Sequence, residues 1–162
     1  MSDKAARDAE NNALFKDIYM NVAAMPWLPH PAMPGTHFKV LRTSAETGAW
    51  TVLFKNARGS SVPRHEHLGA GEYLILSGKA EIRGGVEKGG ITAYAGDYGY
   101  EPSGVIHDST YFPEDTIYFF TNHGPVKFID DDNNILAVVD WRAVRALEAT
   151  LLAQMATPAA AE

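Results

Sequence analysis

The sequence predicts an all-β fold, a sandwich or barrel that ends in one helix. Three observations carry that reading. Short β-branched and aromatic runs recur from His37 to Val139. Turn residues separate these runs at intervals of about 8–12 residues. An amphipathic repeat appears only after Asp140.

Taken in order, the segment up to about Met25 is partly helix-compatible but has no strong amphipathic stripe. Pro26, Pro29, Pro31 and Pro34 follow within nine residues. Such density forbids regular helix and favours an extended, wrapping lead-in. His37–Arg42 alternates polar and apolar residues, as a half-buried strand does. Trp50–Phe54, Tyr73–Leu76, Ile91–Tyr94, Thr116–Phe120, Val126–Ile129 and Ile135–Val139 read as further strands. Between them lie Ser77-Gly78, Gly84-Gly85, Gly89-Gly90, Ala95-Gly96-Asp97, Asn122-His123-Gly124 and Asp131–Asn134, all turn signals. Asp140 is a candidate N-cap, and Trp141, Val144, Leu147, Leu151 and Met155 then recur at helical spacing. The expected organisation is one domain: an N-terminal extension over 1–36, a barrel over 37–139, and a helix with a tail over 140–162.

A chain of 162 residues is long enough for a sizeable core. Its net charge of -6 argues against nucleic acid as a partner, because phosphate binding wants a basic face. No apolar run approaches the roughly 18–20 residues needed to span a bilayer. The charged first residues lack an apolar signal stretch, so the cytoplasm is the expected location. The absence of cysteine removes disulfides, thiolate ligands and thiol nucleophiles together.

The chemistry-bearing residues are histidines. Gly59–His67 reads G-x5-H-x-H, and Gly96–His107 reads G-x5-P-x-G-x2-H. Alternate side chains of a strand share a face, so His65 and His67 deliver two imidazoles to one side. His107 on a neighbouring strand closes a facial set of three nitrogens. Such a set suits a borderline divalent metal. His30, His37 and His123 lack this context, although His30 is placed to line a pocket mouth.

These two segments make the chain resemble a cupin, a double-stranded β-helix or jelly-roll barrel. The cupin motifs are G-x5-H-x-H-x3-4-E-x6-G and G-x5-P-x-G-x2-H-x3-N. Gly59, His65, His67 and Gly78 match the first; Gly96, Pro102, Gly104 and His107 match the second, with Tyr111 in place of the Asn. The resemblance implies metal ligation by His65, His67 and His107. It also supplies a fourth ligand, a Glu, for which two placements compete. Counted from His67, Glu72 lies within the allowed spacing; counted back from Gly78, the place falls on Gly71. A one-residue shift turns a strand side chain to the opposite face, and only a bulge in Leu68–Gly71 restores it. The Gly78 turn favours a three-histidine site with Glu72 outside it. By parity Tyr73 then faces the cavity. Glu101, just before the Pro102 turn, is a candidate acceptor for a ligand histidine or a general base, and Arg83 a candidate to neutralise it.

Three neutral imidazoles leave a divalent ion its full charge and open positions for an anionic chelate, such as the enolate of a ketone. The Pro26–Pro29 lead-in, the Tyr100–His107 stretch, Phe119-Phe120 and the Asp130/Asp131 turn are similar to a dioxygenase subgroup of the cupins. That subgroup cleaves acetylacetone or 2,4'-dihydroxyacetophenone. The resemblance implies a non-haem Fe(II) dioxygenase that cleaves a C–C bond beside a carbonyl in a β-diketone or hydroxyaryl ketone, using O2. Zn, Ni and Mn are the alternative ions. The rival readings are a zinc-binding sensor domain, as in some anti-sigma factors, and a cupin isomerase. Cupins of this size often dimerise, so the resemblance implies a homodimer, and the proline-rich lead-in is a candidate arm crossing to a neighbour.

Overall fold

The computed structural model describes residues 4–7 and 18–156. Most of the helix-compatible stretch ahead of Met25 lies outside them, as does the tail after Ala156. The lead-in begins with a single 3-10 turn, Val22–Ala24, whose cap is the side chain of Asn21. Fourteen strands follow: β1 (Leu28–Pro29), β2 (Thr36–Thr43), β3 (Trp50–Asn56), β4 (Ser61–Val62), β5 (His65–His67), β6 (Gly71–Ser77) and β7 (Lys79–Ile82), then β8 (Ile91–Tyr94), β9 (Tyr98–Glu101), β10 (Ile106–His107), β11 (Thr110–Tyr111), β12 (Thr116–Asn122), β13 (Val126–Ile129) and β14 (Ile135–Val139).

All strand pairings are antiparallel. A six-stranded sheet runs β1-β2-β3-β12-β6-β9, and two four-stranded sheets run β10-β5-β13-β14 and β4-β11-β7-β8. Their inner faces meet in one core: Phe38, Val52, Ile75 and Phe120 come from the large sheet, Val126 from one small sheet, Ala80 and Ile82 from the other. Period-2 burial selects these residues. In β6, Gly71, Tyr73 and Ile75 are buried while Leu74 and Leu76 face out. The fold is the all-β barrel expected.

Two local features hold the site's register. Gly78 has φ 76°, and a side chain there would run into the Asp115 carbonyl, so only glycine makes this turn between β6 and β7. The pairing of β6 with β12 is interrupted beside Leu76, where Ile117 faces Ser77 but Tyr118 faces Ile75. The bulge therefore sits near Gly78 rather than in Leu68–Gly71.

The helix Trp141–Ala156 starts where Asp140 Oδ1 accepts from the backbone N–H groups of Arg142 and Ala143. It packs on β1, β2 and β14. Ala143, Val144 and Leu147 turn inward and line the barrel cavity, so the helix covers one end of it.

Candidate metal centre

His65 and His67 sit on β5, between β10 and β13. The register places His107 directly beside His65 and Phe128 on its other side. All three histidines are buried, and one ring nitrogen of each lies within 4.8 Å of the others. Ring centroids are 5.0 Å apart for His65–His67, 5.2 Å for His65–His107 and 5.3 Å for His67–His107.

The rings are oriented from behind. His65 Nδ1 donates to the Pro63 carbonyl at 2.7 Å, and His67 Nδ1 donates to Asn122 Oδ1 at 3.0 Å. Each bond puts the proton on Nδ1 and leaves the Nε2 lone pair facing the cluster. Asn122 is itself held, since its Nδ2 donates to the Gly124 carbonyl, which also accepts from Trp50 Nε1. Asn122 was read as part of a turn; it is the last residue of β12, fully buried, and its partner lies 55 positions away in sequence.

Position 71 faces inward against His67, and a β-carbon there would stand 2.8 Å from His67 Cε1. Gly71 thus leaves vacant the place where the cupin motif carries its Glu. Glu72 points outward, 39% exposed, with Oε1 3.2 Å from His123 Nε2. It does not join the histidine cluster: as a fourth ligand it is on the wrong face of β6.

The carboxylate that does reach the cluster is Glu101, which pairs with Gly71 across β6 and β9. Its Oε2 lies 3.1 Å from His67 Nε2 and its Oε1 3.3 Å from His107 Nδ1. Neither contact has hydrogen-bond geometry, so both nitrogens are buried without a partner. Orphaned buried nitrogens around a common point fit a divalent ion, for which imidazole is a suitable donor.

The electrostatics favour neutral rings at His65 and His107, while Glu101 pulls His67 the other way. Burial pushes His65 down to about 4. Burial also lowers His107, against the pull of Glu101. For His67, burial works downward but contact with Glu101 outweighs it and raises the ring. Burial works to raise Glu101, yet the three imidazoles hold it below the usual carboxylate range.

Tyr73 is buried and lines the cavity, its ring lying over Gly99. Burial, then the charges of Glu101 and Asp97, push its phenol up to about 12. Arg83 is exposed beyond the end of β7, where its backbone turns at φ 53°. It shares a smaller cavity of about 250 Å³ with Glu101, His107 and Tyr73. The charge acting on Glu101 is that of the histidines; Arg83 lines the same small cavity, where its charge acts on His107 and Tyr73.

The main cavity, of about 440 Å³, opens in front of the histidines. Trp50, Phe54, Phe120, Phe128 and other apolar side chains form its wall. His30 also lines it, packed edge-on against Phe38 at 5.8 Å.

A β-barrel with three inward histidines at the head of an apolar cavity defines the class: a small metal-binding cupin. The chain belongs to the ChrR cupin-like family, whose model matches residues 15–127. It is 40% identical over 126 residues to the acetylacetone-cleaving enzyme of Acinetobacter johnsonii, covering 76% of this chain and 82% of that enzyme. The crystal structure of an acetylacetone dioxygenase from the same organism superposes with a TM-score of 0.81 at 36% identity, over 85% of this chain and 94% of the other. A provisional acetylacetone dioxygenase of Methylibium petroleiphilum gives 0.79 at 37% identity, over 82% and 94%.

Proposed function

We propose that this protein is a non-haem Fe(II) dioxygenase that cleaves a C–C bond beside a carbonyl in a β-diketone or hydroxyaryl ketone. The observation that carries the reading is the set of converging, orphaned ring nitrogens at the head of an apolar cavity large enough for a single-ring ketone. Its relatives in Acinetobacter johnsonii, an acetylacetone-cleaving enzyme and an acetylacetone dioxygenase, support it.

His65, His67 and His107 would hold the ion. Bound there, Fe(II) supplies Lewis-acid polarisation of a carbonyl and the redox partner for O2. The remaining work belongs to the chain. The Pro63 carbonyl and Asn122 fix the donor rings in one tautomer. Glu101, ionised and beside the cluster, takes the acidic proton of the ketone on a carboxylate oxygen, which leaves the enolate in the cavity. Tyr73 stays protonated at working pH and serves as a hydrogen-bond donor on the Glu101 side. The aromatic wall keeps water from the reacting carbon.

The form we propose is a cytoplasmic homodimer. Leu53, Phe119, Leu74 and Tyr98 make one apolar row across the outer face of the large sheet, an extent that suits sheet-on-sheet packing with a second copy.

The test is oxygen uptake by protein prepared without oxygen and loaded with Fe(II). Consumption with acetylacetone or a hydroxyaryl ketone is the expected result. No uptake across both classes overturns the dioxygenase reading. Tight zinc binding without uptake would favour a zinc-binding sensor instead.

A further inference from the structure

Six strands stand at the edges of the three sheets: β1 and β9, β10 and β14, β4 and β8. An edge strand presents a row of unpaired N–H and C=O groups, and proteins blunt it with shortness, proline or charge. Three of the six, β1, β4 and β10, are two residues long, and β1 carries Pro29. β9 contains Gly99 and ends on Glu101. β14 has none of these devices. Its five residues, Ile-Leu-Ala-Val-Val, make it the longest of the six, and all are apolar.

Its exposure is equally uncommon for such residues. Ile135, Leu136 and Val138 are 63%, 66% and 51% exposed. Alternation sets Leu136 and Val138 on one face and Ile135 on the other, so both faces of the strand are open. Beyond the ladder with β13, no backbone hydrogen bond holds Ile135–Val139 among the described residues. The strand also belongs to the site. Leu136, Ala137 and Val139 line the main cavity, and Ala137 pairs with Phe128 of the same wall. Leu136 and Ala137 are themselves exposed, so the cavity reaches solvent along this strand.

The ends of β14 carry opposite charges. Asp132 precedes it and Arg142 follows it, both exposed and each five residues from Ala137. Arg142 bonds Asp140 through Nη1 alone, which leaves further N–H groups of the guanidinium to offer. Antiparallel pairing of two such strands about Ala137 sets Val138 beside the partner's Leu136 and Ile135 beside the partner's Val139. It also brings Asp132 towards the partner's Arg142.

We propose that β14 is the seat of a second copy of this chain: the two β14 strands pair antiparallel about Ala137, join two small sheets into one, and wall the open side of both cavities. This face is distinct from the outer row of the large sheet, and it stands whichever reaction the metal centre performs. Main-chain hydrogen bonds along the edge supply affinity, and the apolar side chains set the register. The chain's net charge of -6 repels a second copy, yet on this face each acid meets a cation.

The test is mass in solution by analytical ultracentrifugation, joined to hydrogen exchange. The native protein is expected to self-associate, and the amides of Ile135–Val139 to exchange slowly when associated and faster on dilution. Val138→Lys places a charge on the edge and is expected to halve the mass while circular dichroism stays native. Asp132→Arg should weaken association about tenfold, because the two-fold repeats each exposed pair, and adding Arg142→Asp should restore it. A chelator should strip Zn(II) several-fold faster from Val138→Lys, through the opened cavity. A monomeric native protein overturns the proposal. So does a Val138→Lys variant that keeps the native mass, the result expected if the large sheet alone joins copies; Leu74→Lys is then the variant that dissociates. Exchange at β14 that ignores dilution overturns it too, and Zn(II) release unchanged by a halved mass removes the closure of the cavity.

Discussion

Gly71 and His67 are in direct contact, and a single β-carbon at position 71 would lie 2.8 Å from His67 Cε1 and 3.0 Å from Nδ1. No real side chain tolerates that approach, and His67 cannot retreat because Asn122 holds it from behind. Gly71→Ala is therefore expected to tilt the His67 ring and weaken metal binding at least tenfold while the barrel stays folded. Competition with a chromogenic chelator measures the first and circular dichroism the second. Unchanged affinity would mean that His67 is not held where the contact requires.

Glu72 faces the opposite way, against His123. Glu72→Gln should leave metal affinity within about twofold, because an exposed pair of this kind contributes little. A loss as large as that of His67→Ala would return Glu72 to the ligand set.

His107→Ala removes one of three donors from a short two-residue strand whose pairing with β5 runs through the backbone, not the ring. Most bound metal should be lost on gel filtration, as read by elemental analysis, with the thermal transition still cooperative. Full metal occupancy in this variant would exclude His107 from the site.

Asn122→Ala deletes the side-chain acceptor that holds His67 Nδ1. Partners of this kind behind a ligand histidine are worth about 10–100-fold in metal affinity. An equilibrium titration that finds less than a threefold change would assign the Asn122–His67 bond a packing role only.

Asp140 caps the helix that closes the barrel, and Asp140→Ala should cost about 1 kcal/mol in urea unfolding. The Ala143 N–H bond holds the Asp140 carboxyl below its ordinary value of 3.8, with burial opposing and the bonds to Arg142 adding. A depressed carboxylate stabilises the fold above its unfolded value and loses that effect as pH falls through the folded value. The gap between native and Asp140→Ala stabilities should therefore be constant near neutrality and close below about pH 4. A gap that persists at pH 2 would show that the cap works without its charge.

Strands were legible where β-branched and aromatic runs lie between turn residues. Ile91–Tyr94, Val126–Ile129 and Ile135–Val139 have the bounds that such runs and turn residues suggest. Two-residue strands such as Leu28–Pro29 and Thr110–Tyr111 contain no period to detect. The grouping of His65, His67 and His107 was visible from parity and motif spacing. The role of Asn122 was hidden, since Asn-His-Gly carries the composition of a turn and its partner belongs to another strand. Glu101 was visible as an acid near the site, but its entry through the gap left by Gly71 depends on the register of β6 with β9, which no local pattern encodes.

The shared carbonyl of Gly124 has an optical consequence. Trp50 and Asn122 both donate to it, so an indole buried in the cavity wall lies three hydrogen bonds from His67. Of the three tryptophans, only Trp50 is both wholly interior and coupled to a histidine of the cluster in this way; Trp27 and Trp141 sit beneath the cations of Lys39 and Arg142. The protein thus carries its own reporter, and the emission of Trp50 should follow occupancy of the three-histidine centre in unlabelled protein.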